Sequence, residues 1–179
     1  MPQIRYLPSV TITLFIATSL DGYIAGPDDD LSWLFTDADY GFSEFYETVD
    51  GLIMGRGTYD VVRKMGKWPY PGKPTYVVSK NTDFSVDTPD TKAATGELED
   101  LEVELVDLGL KNVWLVGGGE LVRSFLDQQR IDRIVISLHP VLLGRGVALF
   151  SGGFPGMRLK LEHAESFDSG LVQLTYLTD

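Results

Sequence analysis

The chain has 179 residues, a formal net charge of −11, 44% hydrophobic residues and 23% charged residues, which suits one domain with a sizeable core. The acidic balance argues against a nucleic-acid or anionic-membrane surface, so a phosphate-bearing ligand would need a local basic cluster. The absence of cysteine excludes disulfides, thiolate nucleophiles and Cys-ligated zinc, and no run reaches the roughly 18 apolar residues of a membrane span.

In chain order, residues 1–9 read as a loose lead-in. Thr11 to Thr18 is β-branched and apolar, which predicts a central strand rather than a signal peptide, and the protein is expected in the cytoplasm. A long loop follows, from Ser19 through Asp21, Gly22, Gly26 and Pro27 to Trp33; loops of that length in compact domains tend to be functional. Its acidic run Asp28 to Asp30 lacks the spacing of a calcium loop and reads as a solvated turn. Phe42, Phe45, Tyr46 and Val49 recur at helical spacing over residues 40–49, and Leu52 to Met54 is a short buried strand.

Gly55-Arg56-Gly57-Thr58 then opens a second helix, and a proline-rich connection over 68–74 leads to a strand at Thr75 to Val78. Ser79-Lys80-Asn81-Thr82 is a polar turn, and Phe84 to Pro89 suggests a short edge strand. Glu97 to Leu108 is an acidic amphipathic helix closed by Gly109. Val113 to Val116 predicts a strand buried on both faces, Gly117-Gly118-Gly119 a turn without Cβ atoms, and Leu121, Val122, Phe125 and Leu126 a helix reaching about Gln128. Asp132 to His139 is a further strand, Val141 to Phe154 a glycine-containing loop, and Leu159 to Phe167 and Leu171 to Thr178 a hairpin about Asp168-Ser169-Gly170. The two histidines, His139 and His163, sit singly in strand-like runs and read as structural rather than metal-ligating.

Alternation of strands and helices predicts one α/β domain over 1–179, with a mostly parallel sheet, helices on both faces and a C-terminal antiparallel pair. Ligands in such sheets bind at the carboxyl ends of the strands. Three glycine-rich or polar turns fall there: Gly55 to Thr58, Ser79 to Thr82 and Gly117 to Glu120. Backbone N–H groups at a strand-to-helix turn favour an anion, and Glu120 favours the helix dipole; the other account of the glycines is a tight connection needing only positive φ. Arg56, Thr58, Ser79 and Lys80 suit a dinucleotide carrying an extra ribose phosphate, and no acidic residue stands at Ser79-Lys80 for free ribose hydroxyls. For Arg56 the alternative is a surface ion pair.

Thr18-Ser19-Leu20-Asp21-Gly22-Tyr23-Ile24-Ala25, Met54 to Tyr59, Val77-Val78-Ser79-Lys80 and Leu115 to Leu121 occur in the order seen in the dihydrofolate reductase-like superfamily. The chain resembles its branch named for the C-terminal reductase domain of riboflavin biosynthesis deaminase-reductases, from Thr11 to Thr178. The resemblance implies a sheet of about eight strands and an NADPH site. Ala17 and Ile24 would flank the nicotinamide, Gly55, Arg56, Gly57 and Thr58 would hold phosphates, and Ser79 and Lys80 would meet the ribose phosphate. Val116, Gly117, Gly118, Gly119, Glu120 and Leu121 would wrap the pyrophosphate, with a cis peptide between Gly117 and Gly118.

Two positions depart from that pattern. Riboflavin-pathway reductases typically carry Glu where Gly117 stands and Lys where Tyr23 stands. Dihydrofolate reductases place an acidic residue on the first helix, for which only Glu44 or Asp39 is at hand. The expected activity is hydride transfer from NADPH to a small heterocycle, a ribosylaminouracil phosphate or a pterin. Asp21 and Glu44 are the candidate catalytic groups, and Trp33, Phe42 and Phe45 the candidate substrate wall. The other account is a non-catalytic NADP(H)-binding protein. A homodimer is expected, and no metal.

Overall fold

The computed structural model describes residues 10–178, so the lead-in assigned to 1–9 lies outside the described residues. Strand β1 (Thr11–Ser19) runs through the middle of an eight-stranded sheet of order β5-β4-β3-β6-β1-β7-β10-β9. The parallel members are β1, β3 (Gly51–Gly55), β4 (Thr75–Val78), β5 (Thr91–Ala94), β6 (Asn112–Gly117) and β7 (Arg133–His139). Strands β9 (Leu159–Ser166) and β10 (Val172–Thr178) form the expected antiparallel hairpin beside β7. β1 is central because its alternate residues find apolar partners on both faces. Ile12 and Leu14 enter one core with Ile53 and Leu115, while Phe15 packs into the other with Trp114.

Helices cover both faces. Leu98, Leu101 and Leu105 of α3 (Leu98–Asp107) and Leu121, Val122, Phe125 and Leu126 of α4 (Gly119–Asp127) fill the first core. Tyr59 and Val62 of α2 (Arg56–Lys64) fill the second with Leu52, Met54, Val77 and Trp68, and Phe42 and Phe45 of α1 (Phe42–Thr48) pack against it. Each fully buried Leu or Phe contributes about 1.5–3 kcal/mol relative to exposure. Glu99, Asp100 and Asp107 of α3 face solvent, while half-buried Glu102 pairs with Arg130 and Glu104 with Lys92 and Tyr76. The helix end is closed as the sequence suggests: Gly109 at φ +74 donates to the Val106 carbonyl, and the Leu110 N–H to that of Leu105.

Two elements differ from expectation. The edge strand is Thr91–Ala94, not 84–89. Pro89 cannot donate to a ladder, and Asp87 is engaged by the Tyr59 hydroxyl at 3.0 Å and the Arg63 guanidinium at 2.6 Å. The long loops after β1 and β7 also contain a small sheet of β2 (Tyr23–Ala25) and β8 (Val147–Ala148). Strands this short carry no periodic signal. Close backbone approach makes them possible: a Cβ on Gly146 would collide with the Ala25 carbonyl, and one on Gly119 with that of Ala148. β8 is thereby clamped between β2 and the start of α4.

Candidate active site

The carboxyl ends of β1, β3, β4 and β6 share one edge of the sheet. There α2 starts at Gly55 and α4 at Gly118, neither with a side-chain cap. The two starts converge: a Cβ built on Gly55 would lie 3.7 Å from the Gly117 carbonyl oxygen and the Gly118 nitrogen, and one on Gly118 3.3 Å from Thr58 Oγ1. The Gly117–Gly118 peptide is cis. Gly57 faces open space, with nothing within 4 Å of a built Cβ. The helix starts therefore present uncapped N–H groups side by side, and each carries the positive end of its helix dipole.

The basic side chains on this edge are exposed. Arg56 lies 5.2 Å over the Phe84 ring and 3.7 Å from Asp60, so it has the surface partner weighed against a ligand role. Lys80 is exposed, with no ion pair among the described residues. Ser79 is different: it is buried, and its hydroxyl accepts the Asn81 N–H at 3.1 Å, which shapes the turn that presents Lys80. Val116, Gly118 and Ile24 are half-buried, Gly117, Gly119 and Leu121 are buried, and Glu120 is exposed. Leu121 belongs to the first core, so only its backbone faces the turn.

Ala17 lies half-buried near the end of β1. Beyond it Asp21 is fully engaged. Its carboxylate accepts from Ser19 Oγ at 2.6 Å, Leu143 N at 3.1 Å and Gly144 N at 2.7 Å. The Ser19 hydroxyl foremost, with the two backbone N–H groups, holds Asp21 below the usual carboxylate range. Its geometry is that of a tie between the β1–β2 turn and the loop after β7. Glu44 projects into solvent from α1, with no hydrogen bond or ion pair among the described residues. Asp39 accepts from the N–H and hydroxyl of Ser43, foremost the N–H, which lowers its pKa and secures the start of α1.

The three aromatic candidates do not form one wall. Phe45 stacks on Phe15 at 4.4 Å, and Phe42 meets Phe15 edge-on at 6.0 Å and Trp114 at 5.4 Å. Trp33 turns elsewhere, edge-on to buried His139 at 5.2 Å, with its indole N–H on the Asp30 carbonyl. Phe35 meets the same imidazole at 5.0 Å.

Several residues here had no sequence signal. Lys73 donates to the Tyr46 and Val49 carbonyls, closing the end of α1, and lies 4.5 Å over the Tyr46 ring. Tyr70 packs 6.2 Å from Tyr46, and burial foremost pushes its phenol up to about 12. Gln173 of β10 reaches across β7 to Ser137 and Tyr40. Among the described residues no group of three or more His, Asp or Glu is placed to hold a metal, and no helix is long and apolar enough to cross a membrane.

The RibD C-terminal domain family matches residues 10–173. Two uncharacterized Bacillus subtilis (strain 168) proteins align over nearly their full lengths. YwjB is 36% identical, covering 92% of this chain and 95% of its own, and YyaP is 30% identical, covering 92% and 93%. A crystal structure of a Shewanella sp. PV-4 protein superimposes with a TM-score of 0.86 at 35% identity, covering 95% of this chain and 99% of that one. The Thermotoga maritima diaminohydroxyphosphoribosylaminopyrimidine deaminase/5-amino-6-(5-phosphoribosylamino)uracil reductase gives 0.77 at 17% identity, with 96% of this chain against 57% of that one. Enterococcus faecalis dihydrofolate reductase, solved with NADP(H), gives 0.67 at 16% identity, covering 94% and 96%, a likeness of fold. The chain belongs to the RibD C-terminal domain family and has the dihydrofolate reductase-like, reductase-type fold.

Proposed function

We propose that the protein is an NADPH-dependent reductase acting on a small heterocycle of the phosphoribosylaminouracil or dihydrofolate kind. The observation that carries this is the convergence of two uncapped helix starts at Gly55 and Gly118, flanked by exposed Arg56 and Lys80 in a chain of net charge −11. Such a cradle fits a pyrophosphate and an additional phosphate monoester. Gly55, Arg56, Gly57, Thr58 and the backbone from Val116 to Leu121 would hold the pyrophosphate region. Lys80, presented by the Ser79 turn, would meet the ribose phosphate, and Ala17 and Ile24 would border the nicotinamide.

Bound NADPH would supply a hydride; reduction of a C=N or C=O bond then needs one proton from solvent or a nearby group. Asp21 serves in this proposal as a positioning residue, holding the loop at 143–144 against the β1–β2 turn. Phe42, Phe45 and the exposed carboxylate of Glu44 border the substrate side in this proposal, with Trp33 apart from them against His139, and apolar rings there would exclude water from the reacting atoms. In this proposal the domain works in the cytoplasm as a pair of identical chains. Pairing is supported by β9, exposed along its whole length, with Leu159 and Leu161 uncovered.

A non-catalytic NADP(H)-binding protein is the second account. It is favoured by the closure of α1 onto the sheet, where Phe45 already occupies the face of Phe15. Absorbance of NADPH followed with dihydrofolate and with the ribosylaminouracil phosphate side by side separates the two. Turnover of either supports the reductase. NADPH binding with neither consumed supports the second account.

A further inference from the structure

Ala17 of β1, Ser137 of β7 and Gln173 of β10 are neighbours in strand register, Ala17 paired with Ser137 and Ser137 with Gln173. Paired residues point to the same side of a sheet, and this is the side of Phe15 and α1. Ser137 is only 6% exposed. Gln173 Nε2 donates to Ser137 Oγ at 3.1 Å and to the Tyr40 carbonyl at 3.0 Å. The Tyr40 carbonyl can only accept, so it requires the nitrogen of the Gln173 amide, not the oxygen, at that position. Ser137 must therefore accept from Gln173, and its own O–H is left to donate. No acceptor for it occurs among the hydrogen bonds of the described residues. Ala17, its half-buried register partner on β1, lies one strand spacing of about 4.8 Å away.

We infer that Ser137 is a substrate-binding hydrogen-bond donor whose polarity is set by Gln173 as a positioning residue. The inference rests on the proposed function, which puts the nicotinamide beside Ala17. A ring stacked there for hydride transfer brings its edge within reach of the Ser137 hydroxyl. That hydroxyl selects a neutral acceptor, the carbonyl oxygen of a cyclic amide such as a pyrimidinedione. The row Ala17–Ser137–Gln173 contains no charged group, so it suits a neutral ring edge.

The test titrates 5,6-diaminouracil into the protein saturated with NADP⁺, for wild type, Ser137→Ala, Ser137→Thr and Gln173→Glu. NADP⁺ affinity and melting temperature are measured in parallel. Expected are binding to wild type, about tenfold weaker binding to Ser137→Ala, as loss of a single hydrogen bond produces at most, and recovery in Ser137→Thr. Gln173→Glu puts an acceptor against Ser137, turns the hydroxyl inward and weakens the probe as Ser137→Ala does. All three variants keep wild-type NADP⁺ affinity. Equal probe binding by wild type and Ser137→Ala overturns the inference, as does a wild type that binds NADP⁺ but not the probe; both leave the cofactor proposal standing. A wild type that binds no NADP⁺ overturns both. A melting temperature lowered in step with probe affinity, with no recovery in Ser137→Thr, makes Ser137 part of the scaffold.

Discussion

The turns after β3, β4 and β6 and the wall of α1 with residues 21–41 lie on the same edge of the sheet, yet they are built of different material. The turns are backbone: Gly55, Gly117, Gly118 and Gly119 leave N–H groups bare and hold two helix starts together. The wall is side chain. Phe15, Phe42, Phe45 and Trp114 interlock from three elements, and Asp21, Asp39, Lys73 and Gln173 secure its loops. A backbone site tolerates little but accepts any chain that supplies glycine at fixed positions. A side-chain site can be rebuilt residue by residue, which is where substrate choice changes within a fold.

The largest expected effect breaks the backbone half. Gly119→Ala drives a methyl into the Ala148 carbonyl, with the Leu149 carbonyl 3.2 Å behind it. Neither backbone atom can move freely, so the loss sits near the top of the overpacking range, about 3 kcal/mol, or about 6–12 °C in melting temperature for a domain of this size. Gly57→Ala meets open space within the same helix start and should leave the melting temperature unchanged or slightly raised. Thermal melts of both variants check the contrast. Equal losses would mean that glycine serves the turns by flexibility rather than by close approach.

Next is Lys80→Ala. A charge-assisted phosphate contact contributes roughly 1.5–3 kcal/mol, so NADPH should bind about tenfold or more weakly while NADH affinity barely changes. Titration with both cofactors measures this, and equal losses would remove Lys80 from the phosphate.

The first half was legible for a physical reason. A glycine turn, a strand run and a helix start lie next to one another in sequence, so Gly55 to Thr58 and Gly117 to Leu121 announced themselves, as did the sheet, its central first strand and its final hairpin. The wall depends on residues far apart in the chain. Gln173 and Ser137 are 36 positions apart and Gln173 and Tyr40 are 133 apart. No local pattern in β10 marks Gln173 as the residue that reaches Tyr40. Trp33 and Phe45 looked like one surface in sequence, yet they face different partners, His139 and Phe15. β2 and β8 went unseen because pairs two or three residues long have no period to detect.

Asp21→Asn tests the wall at a smaller scale. Asp21 is held below its ordinary value, so its tie is fully present above the unfolded carboxylate value of about 3.9 and is lost as pH falls through the lower folded value. The variant should melt below wild type at pH 7, and the gap should narrow as pH falls below the unfolded carboxylate value of about 3.9. A gap that stays constant with pH would mean the carboxylate charge is not what holds Leu143 and Gly144. NADPH affinity should stay near wild type.

Smallest for the fold is Leu161→Asp on exposed β9. Leu161 is 53% exposed, so the melting temperature of the chain should hardly move. Light scattering should then show a dimeric wild type and a monomeric variant. A wild type already monomeric at working concentration would remove pairing from the account.

The central claim is that this edge of the sheet was built for a dinucleotide with an extra phosphate. Calorimetric titration of the wild-type protein with NADPH and with NADH tests it most directly. The account predicts a dissociation constant for NADPH at least about tenfold lower, a difference of about 1.4 kcal/mol or more, that shrinks as salt screens the exposed Lys80 and Arg56. Equal affinity for the two cofactors, or no binding of either, would contradict it.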